Sequence, residues 1–248
     1  KLVHVRLATR ELNCEIVADI LELTPIATPP TGETIDLLPA SVCPIPGLVQ
    51  RFAALIHGIS CPGLRGFVEA VLADDSVALP FLANPASGQY HHIEPGGLLR
   101  HSVEAADAVR RHPLPAADMD IAVIAALFHD IGKAWTFNRD GTKTLMGRLV
   151  DHDHLVLEIC AEGLRALAQA NHAAACILRH IWTASTNPNY GIPIQSYLVQ
   201  AVRTADRLTA ELDKQVLAFA NAAVDCDTAR VGREMRFRLI QPIQPAAA

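Results

Sequence analysis

Residues 121–133 have the sequence IAVIAALFHDIGK, which is the strongest local signal in the chain. Its first eight residues are apolar on every side of a helix, which predicts a helix that lies buried in the centre of the protein. His129 and Asp130 follow at the end of that helix. Because polar side chains in an apolar interior need partners or a metal ion, this pair marks a candidate site.

Gly132 and Lys133 follow the His-Asp pair. Gly132 is predicted to close the helix, so that Lys133 projects a cation beside the pair. Two interpretations of Lys133 stay open: a solvated cation in the last turn, favoured by the helix dipole, and a contact with a substrate phosphate.

Two ligands do not hold a metal ion, and two further residues lie in similar settings. His101 is close to the start of a helix that is predicted after the break Pro95-Gly96-Gly97. Asp206 borders the apolar face of another predicted helix, where a carboxylate is costly unless it is bound. Histidine nitrogens and carboxylate oxygens together suit Zn, Mn, Fe, Ni or Mg.

The rest of the chain predicts a mainly α protein with a small β element. Apolar residues at helical spacing predict helices over about 47–59, 64–72, 98–111, 153–170, 173–183 and 195–221. Alternating apolar residues predict strands over 1–7 and, with a helix as the alternative, over 12–20. The predicted parts are a β-rich segment and linker (1–45), a helical domain (46–225), and a basic tail or strand (226–248) that could pair with the N-terminal strands.

Composition excludes several classes of protein. The chain has 248 residues, of which half are apolar and 19% are charged, so it is not a disordered chain. Its best apolar run has eight residues, too few for a transmembrane helix. The six cysteines form no C-x-x-C pair, which favours reduced thiols and a cytoplasmic location. A net charge of −5 does not attract nucleic acid, whereas 11 histidines against 10 Phe and Tyr suggest metal ligands.

These motifs resemble those of the HD superfamily of metal-dependent phosphohydrolases, all-helical enzymes named after their His-Asp pair. GGLLRHS at 96–102 resembles the first motif, HDIGK at 129–133 the second and AD at 205–206 the last, within about residues 46–213. The resemblance implies an HD helical bundle in which a divalent metal is held by His101, His129, Asp130 and Asp206. It also implies phosphoester hydrolysis by metal-activated water, with Asp130 orienting or deprotonating the water and Lys133 stabilising the phosphate charge.

Two subfamilies resemble the chain more closely. Bacterial 3′–5′ exoribonucleases with an OB-like module before the HD domain share NPA at 84–86 and the His pair at 91–92. The HD domain of MobH-class conjugative relaxases shares PAS at 85–87, the same His pair and ADR at 205–207. The first resemblance implies an OB-like remnant in residues 1–45. Further candidates are His152 and His180, for a second metal or a phosphate, and His91, His92 and Arg100, on the substrate side.

One departure from the exoribonucleases concerns the metal count. Their fourth motif continues into Ser-His-His-Gly, whereas this chain has Ala184-Ser185-Thr186-Asn187, which favours one ion over two. The predicted function is hydrolysis of phosphoester bonds in nucleic acid or nucleotides, like that of a 3′–5′ exonuclease acting on single strands. The alternatives are relaxase-like DNA processing and a metal- and nucleotide-binding module without turnover. The oligomeric state stays open.

Overall fold

A central, fully buried helix organises the fold. The computed structural model describes residues 3–25, 34–184 and 194–238. Helix α5 (Ala116–Phe128) is buried at every residue from Asp120 to Phe128, which confirms the prediction from its all-round apolar sequence. It ends at His129, so the His-Asp pair lies where the central helix leaves the core.

Helices pack around α5 to form a mainly α domain, as predicted. The helices that contact α5 include α2 (Pro62–Leu72), α4 (Gly97–Val109), α10 (His172–Thr183) and α11 (Tyr197–Phe219). The other helices of eight or more residues are α1 (Leu48–His57), α3 (Asp75–Ala83), α8 (His152–Ile159) and α9 (Ala161–Ala170). Two short helices, α6 (Lys133–Thr136) and α7 (Leu145–Leu149), follow the His-Asp pair. Phe67, Phe81 and Phe128 stack edge-to-face or in parallel within the core.

The helices of the structure differ from the predicted ones in two ways: one predicted helix is divided, and three helices were not predicted. The single helix predicted over 153–170 is two helices, α8 and α9, which meet at the buried Cys160. Nothing in the apolar spacing marks this break, since apolar residues continue through it at helical spacing, as at Val156, Ile159 and Leu164. Helices α3, α6 and α7 were not predicted, because α3 contains Pro80 and the other two are too short for periodicity.

The N-terminal residues form a β-hairpin. Strand β1 (Val3–Leu12) pairs antiparallel with β2 (Glu15–Pro25), which decides in favour of strand where the sequence left strand and helix open. One face carries apolar residues such as Val5 and Leu23, and the other carries ion pairs such as Arg10–Asp19. Whether this hairpin is an OB-like remnant, and whether domain boundaries lie at 45 and 225, stays a prediction.

The C-terminal strand is present, but its predicted partner is wrong. Strand β4 (Glu234–Phe237) pairs with β3 (Thr228–Val231) and not with the N-terminal hairpin in the described residues. The connecting turn contains Gly232 at φ 55°, a left-handed conformation that glycine adopts without strain. Arg236 pairs with Glu211 and Glu234, so this arginine of the basic tail is bound within the protein.

Candidate metal centre

Four polar side chains, from α4, from the turn after α5 and from α11, converge at the end of α5. The Nε2 atoms of His101, on α4, and His129 lie 3.2 Å apart. Asp206 on α11 places Oδ1 at 3.0 Å from the first imidazole and 3.3 Å from the second. Asp130 places Oδ2 at 3.4 Å from both imidazoles. The four metal ligands predicted from the sequence motifs therefore form one cluster.

The outward nitrogens of both imidazoles are held by hydrogen bonds. His129 Nδ1 donates to the carbonyl oxygen of Ala126 at 2.7 Å, and His101 Nδ1 lies 3.4 Å from the hydroxyl of Thr209. That hydroxyl donates to the Asp206 carbonyl, so it accepts from His101. Each Nε2 is consequently directed at the carboxylates, which is the arrangement that orients histidine ligands in metal sites.

The donor set fits a divalent metal ion. Ligands about 2.0–2.2 Å from one ion lie roughly 3.0–3.5 Å from each other when they are adjacent. The measured distances among the two Nε2 atoms and the two carboxylate oxygens run from 3.0 to 3.4 Å. His101 and Asp130 are almost fully buried, so the cluster lies in a medium where its carboxylates attract a cation strongly.

Without a metal ion, a proton on His129 balances the charge of the carboxylates in this cluster. Burial opposes the charged form of His129, but the carboxylates of Asp130 and Asp206 outweigh it and raise the pKa of His129 to about 9. Burial likewise opposes ionisation of Asp130, yet the Lys133 ammonium beside it holds the pKa of that carboxyl well below its usual range. The metal-free site at neutral pH therefore contains a protonated His129 between two carboxylates.

Metal uptake is expected to release about one proton at pH 7.5, because the proton on His129 must leave before its Nε2 can bind a metal. Apparent affinity for Mn²⁺ should rise about tenfold per pH unit until the pH reaches the pKa of about 9. Titration calorimetry in buffers of different ionisation enthalpy measures the release. The matched control is His172→Ala, an exposed histidine on α10, which should release the same proton. A heat that is independent of the buffer would contradict this assignment.

Lys133 and His152 complete the surroundings of Asp130. Lys133 is 8% exposed, and its Nζ donates to Asp130 Oδ2 at 2.6 Å, so it is not a solvated cation. It also lies at the start of α6 rather than in a last turn. His152 Nε2 lies 3.1 Å from the other oxygen, Asp130 Oδ1, and 3.1 Å from Asp153 Oδ1. Asp130, His152 and Asp153 thus form a second group of potential metal ligands around a shared carboxylate.

Two motif glycines allow the backbone to approach the site closely. Gly132 adopts right-handed helical angles and does not close the helix in the predicted way. A Cβ at this position would lie 2.0 Å from the carbonyl oxygen of His152, so glycine is what allows the His152 segment to reach Asp130. A Cβ at Gly97 would similarly lie 2.1 Å from the carbonyl oxygen of His92.

The predicted substrate-side residues separate into different settings. His91 lies beside the cluster, with its ring centroid 5.2 Å from that of His101, and burial together with the Lys133 charge lowers its pKa to about 4. His92 is completely buried and bonded to Glu104 at 2.8 Å. Arg100 pairs with Asp213 and with Glu94 instead of the cluster. The rings of His91 and His92 both lie against that of His101, the second with a centroid distance of 4.9 Å, and the roles on the substrate side stay predictions.

His180 is partly buried, and its Nε2 has no hydrogen-bond partner among the described residues.

Three residues that position the site were not predicted from the sequence. Thr209 orients His101, Asp213 accepts from the backbone N–H of His92 at 2.6 Å, and Asn84 donates to the Phe137 carbonyl at 2.7 Å. Thr209 and Asp213 follow Asp206 by three and seven residues, so helical periodicity on α11 was the signal that could have found them.

Comparison with known proteins agrees with the geometry. The family model of the HD domain matches residues 98–211, a span of the chain that contains all four candidate ligands. No curated protein and no solved structure gives a significant match. None of the helices in the described part of the chain is both long and apolar enough to cross a membrane. Residues 98–211 are therefore similar in sequence to the HD domain, and the His/Asp cluster lies within the matched span.

Proposed function

We propose that this HD domain is a metal-dependent phosphodiesterase that acts on nucleic acid or nucleotides, in the manner of a 3′–5′ exonuclease on single strands. The observation that carries the proposal is a cavity of about 280 Å³ that Lys133 and His152 line. Both side chains contact Asp130, so the cavity is one residue away from the metal cluster. Lys143 lines the same cavity and adds a second ammonium group for an anionic substrate.

The residues of the chain have distinct roles in the proposed reaction. His101, His129, Asp130 and Asp206 would hold a Mn, Mg, Fe, Ni or Zn ion. When bound, such an ion lowers the pKa of its water and polarises the phosphoryl oxygen. Asp130 presents one oxygen to the cluster and the other to His152, so the carboxylate is placed to orient or deprotonate a water. Lys133 places a fixed positive charge where charge develops on the phosphate.

One ion remains the proposed stoichiometry. A second ion would use Asp130, His152 and Asp153, but the side chain of Asp153 is 73% exposed and offers a weakly held ligand. Elemental analysis of the purified protein counts the ions directly. A ratio of two per chain would place the second ion at His152 and replace the one-ion proposal.

The function is tested with metal-loaded protein and two kinds of substrate. Bis(4-nitrophenyl) phosphate reports phosphodiester cleavage, and 5′-labelled single-stranded RNA and DNA report direction. We expect hydrolysis of the small diester and a ladder that shortens from the 3′ end. His101→Ala should lose both activities, whereas His172→Ala should keep them. Bound metal without any turnover would support the binding module instead, and one cut at a defined DNA position would support the relaxase-like alternative.

A further inference from the structure

A second and larger cavity, of about 600 Å³, opens beside the metal centre. Its walls come from α8, α10 and α11 and include Asp153, Trp182, Arg203 and Arg207. His152 lines the smaller cavity and Asp153, the next residue, lines the larger one. Because the imidazole of His152 contacts both Asp130 and Asp153, the two cavities lie on either side of His152, next to a carboxylate of the metal cluster.

Helix α11 connects the larger cavity to the metal ligands. Arg203, Asp206 and Arg207 are spaced i, i+3 and i+4, so they lie on one face of this helix. Asp206 places its carboxylate in the metal cluster, and the two guanidinium groups line the cavity next to it. A group that is bound by these arginines is therefore close to a phosphate at the metal centre.

The two arginines are placed to bind an anion. Arg203 donates to the Ala184 carbonyl, a contact that fixes the side chain and leaves other N–H groups of the guanidinium for a ligand. Arg207 is exposed and forms no ion pair or hydrogen bond within residues 3–25, 34–184 and 194–238. Guanidinium groups bind phosphate through paired N–H donors. Trp182 adds an aromatic wall, and its indole N–H is already bonded to the Ala125 carbonyl.

We propose that Arg203 and Arg207 bind the phosphate of the nucleotide next to the bond that is cut. The substrate is then a phosphodiester chain that crosses the metal centre with one side in each cavity. This inference rests on the proposed phosphodiesterase function. A phosphomonoester carries a substituent on one side of the phosphorus only, and it would leave one of the two cavities without a role.

Local charge in the cavities agrees with an anionic chain despite the net charge of −5. In the smaller cavity Lys133 is paired with Asp130, and Lys143 is balanced by Asp151. In the larger cavity two arginines face one aspartate, Asp153, so this cavity carries an excess of positive charge. The arginines that contact nucleic acid in this proposal lie on α11 and not in the C-terminal tail, where Arg236 is paired internally.

Binding of a fluorescein-labelled single-stranded oligonucleotide, followed by anisotropy with EDTA present, tests the proposal without turnover. Arg207→Ala should weaken binding about tenfold, because a charge-assisted hydrogen bond is lost. The slope of log affinity against log salt should become shallower by about 0.7, the value for one phosphate contact with a single strand. The control is Arg165→Ala, an exposed arginine on α9 that lines neither cavity and should bind like the parent protein.

Hydrolysis by the metal-loaded protein adds a second readout. Arg207→Ala should lower kcat/KM for the oligonucleotide about tenfold more than for bis(4-nitrophenyl) phosphate, which has no neighbouring phosphate. Equal losses on both substrates, or binding equal to that of Arg165→Ala, would overturn the role of the arginines. If the parent protein hydrolyses neither substrate, the proposed function fails, while the anisotropy result still decides whether the cavity binds a phosphodiester chain.

Discussion

Asp130→Asn is expected to lose bound metal and phosphoester hydrolysis together. The substitution removes a charge whose oxygens face His101 and His129 on one side and His152 on the other, so both groups of potential ligands lose their shared member. We expect turnover to fall by at least about a thousandfold, as for other single groups on which the chemistry depends. Elemental analysis and the bis(4-nitrophenyl) phosphate assay measure the two losses.

The control for this variant is Asp225→Asn, an exposed aspartate near the C-terminal hairpin that should keep metal and activity. Loss of Asp130 also leaves Lys133, buried at 8% exposure, without its carboxylate partner. Circular dichroism must therefore show that the variant folds, and the double variant Asp130→Asn with Lys133→Met removes the unpaired charge. A folded variant that kept its metal and full activity would refute the assignment of Asp130.

Gly132→Ala is expected to destabilise the fold and to separate His152 from Asp130. The new Cβ would lie 2.0 Å from the His152 carbonyl oxygen and 2.8 Å from its carbon, so backbone has to move. Overpacking of this kind costs roughly 1–3 kcal/mol, which lowers Tm by several degrees in a chain of this size. Thermal unfolding followed by circular dichroism measures the change.

Gly66→Ala is the matched control, because Gly66 lies inside α2 and a Cβ there would meet no atom within 4 Å. Alanine is a better helix former than glycine by roughly 1 kcal/mol, so this variant should be as stable as the parent or more stable. If both alanine variants had the same Tm, the close approach of the His152 backbone would not explain the glycine at position 132.

Much of the helical domain was predictable because its signals lie within short stretches of sequence. The all-apolar run before His129 predicted the central helix, and α1, α2, α4, α10 and α11 followed from apolar residues at helical spacing. The break between α8 and α9 at Cys160 was not predictable, because it depends on how α9 packs on α2. There a Cβ at Gly163 would lie 2.9 Å from the Phe67 side chain, a contact between residues far apart in sequence.

The four metal-ligand candidates could be proposed from motifs, but their residue types alone do not show that they meet. His101 and His129 are 28 residues apart, and His101 and Asp206 are 105 apart. Lys133 shows the same limit, since the sequence left a solvated cation and a phosphate contact open, and only packing shows that the ammonium is buried and paired with Asp130.

Local periodicity and side-chain chemistry were enough to predict the helical class, the buried helix before His-Asp, and the candidate metal ligands. The packed structure was needed to show which side chains meet, how His152 reaches Asp130 past Gly132, and where the two cavities lie. The physical reason is that these features depend on the packing of α4, α5, α8 and α11, where residues distant in the chain approach within hydrogen-bond distance.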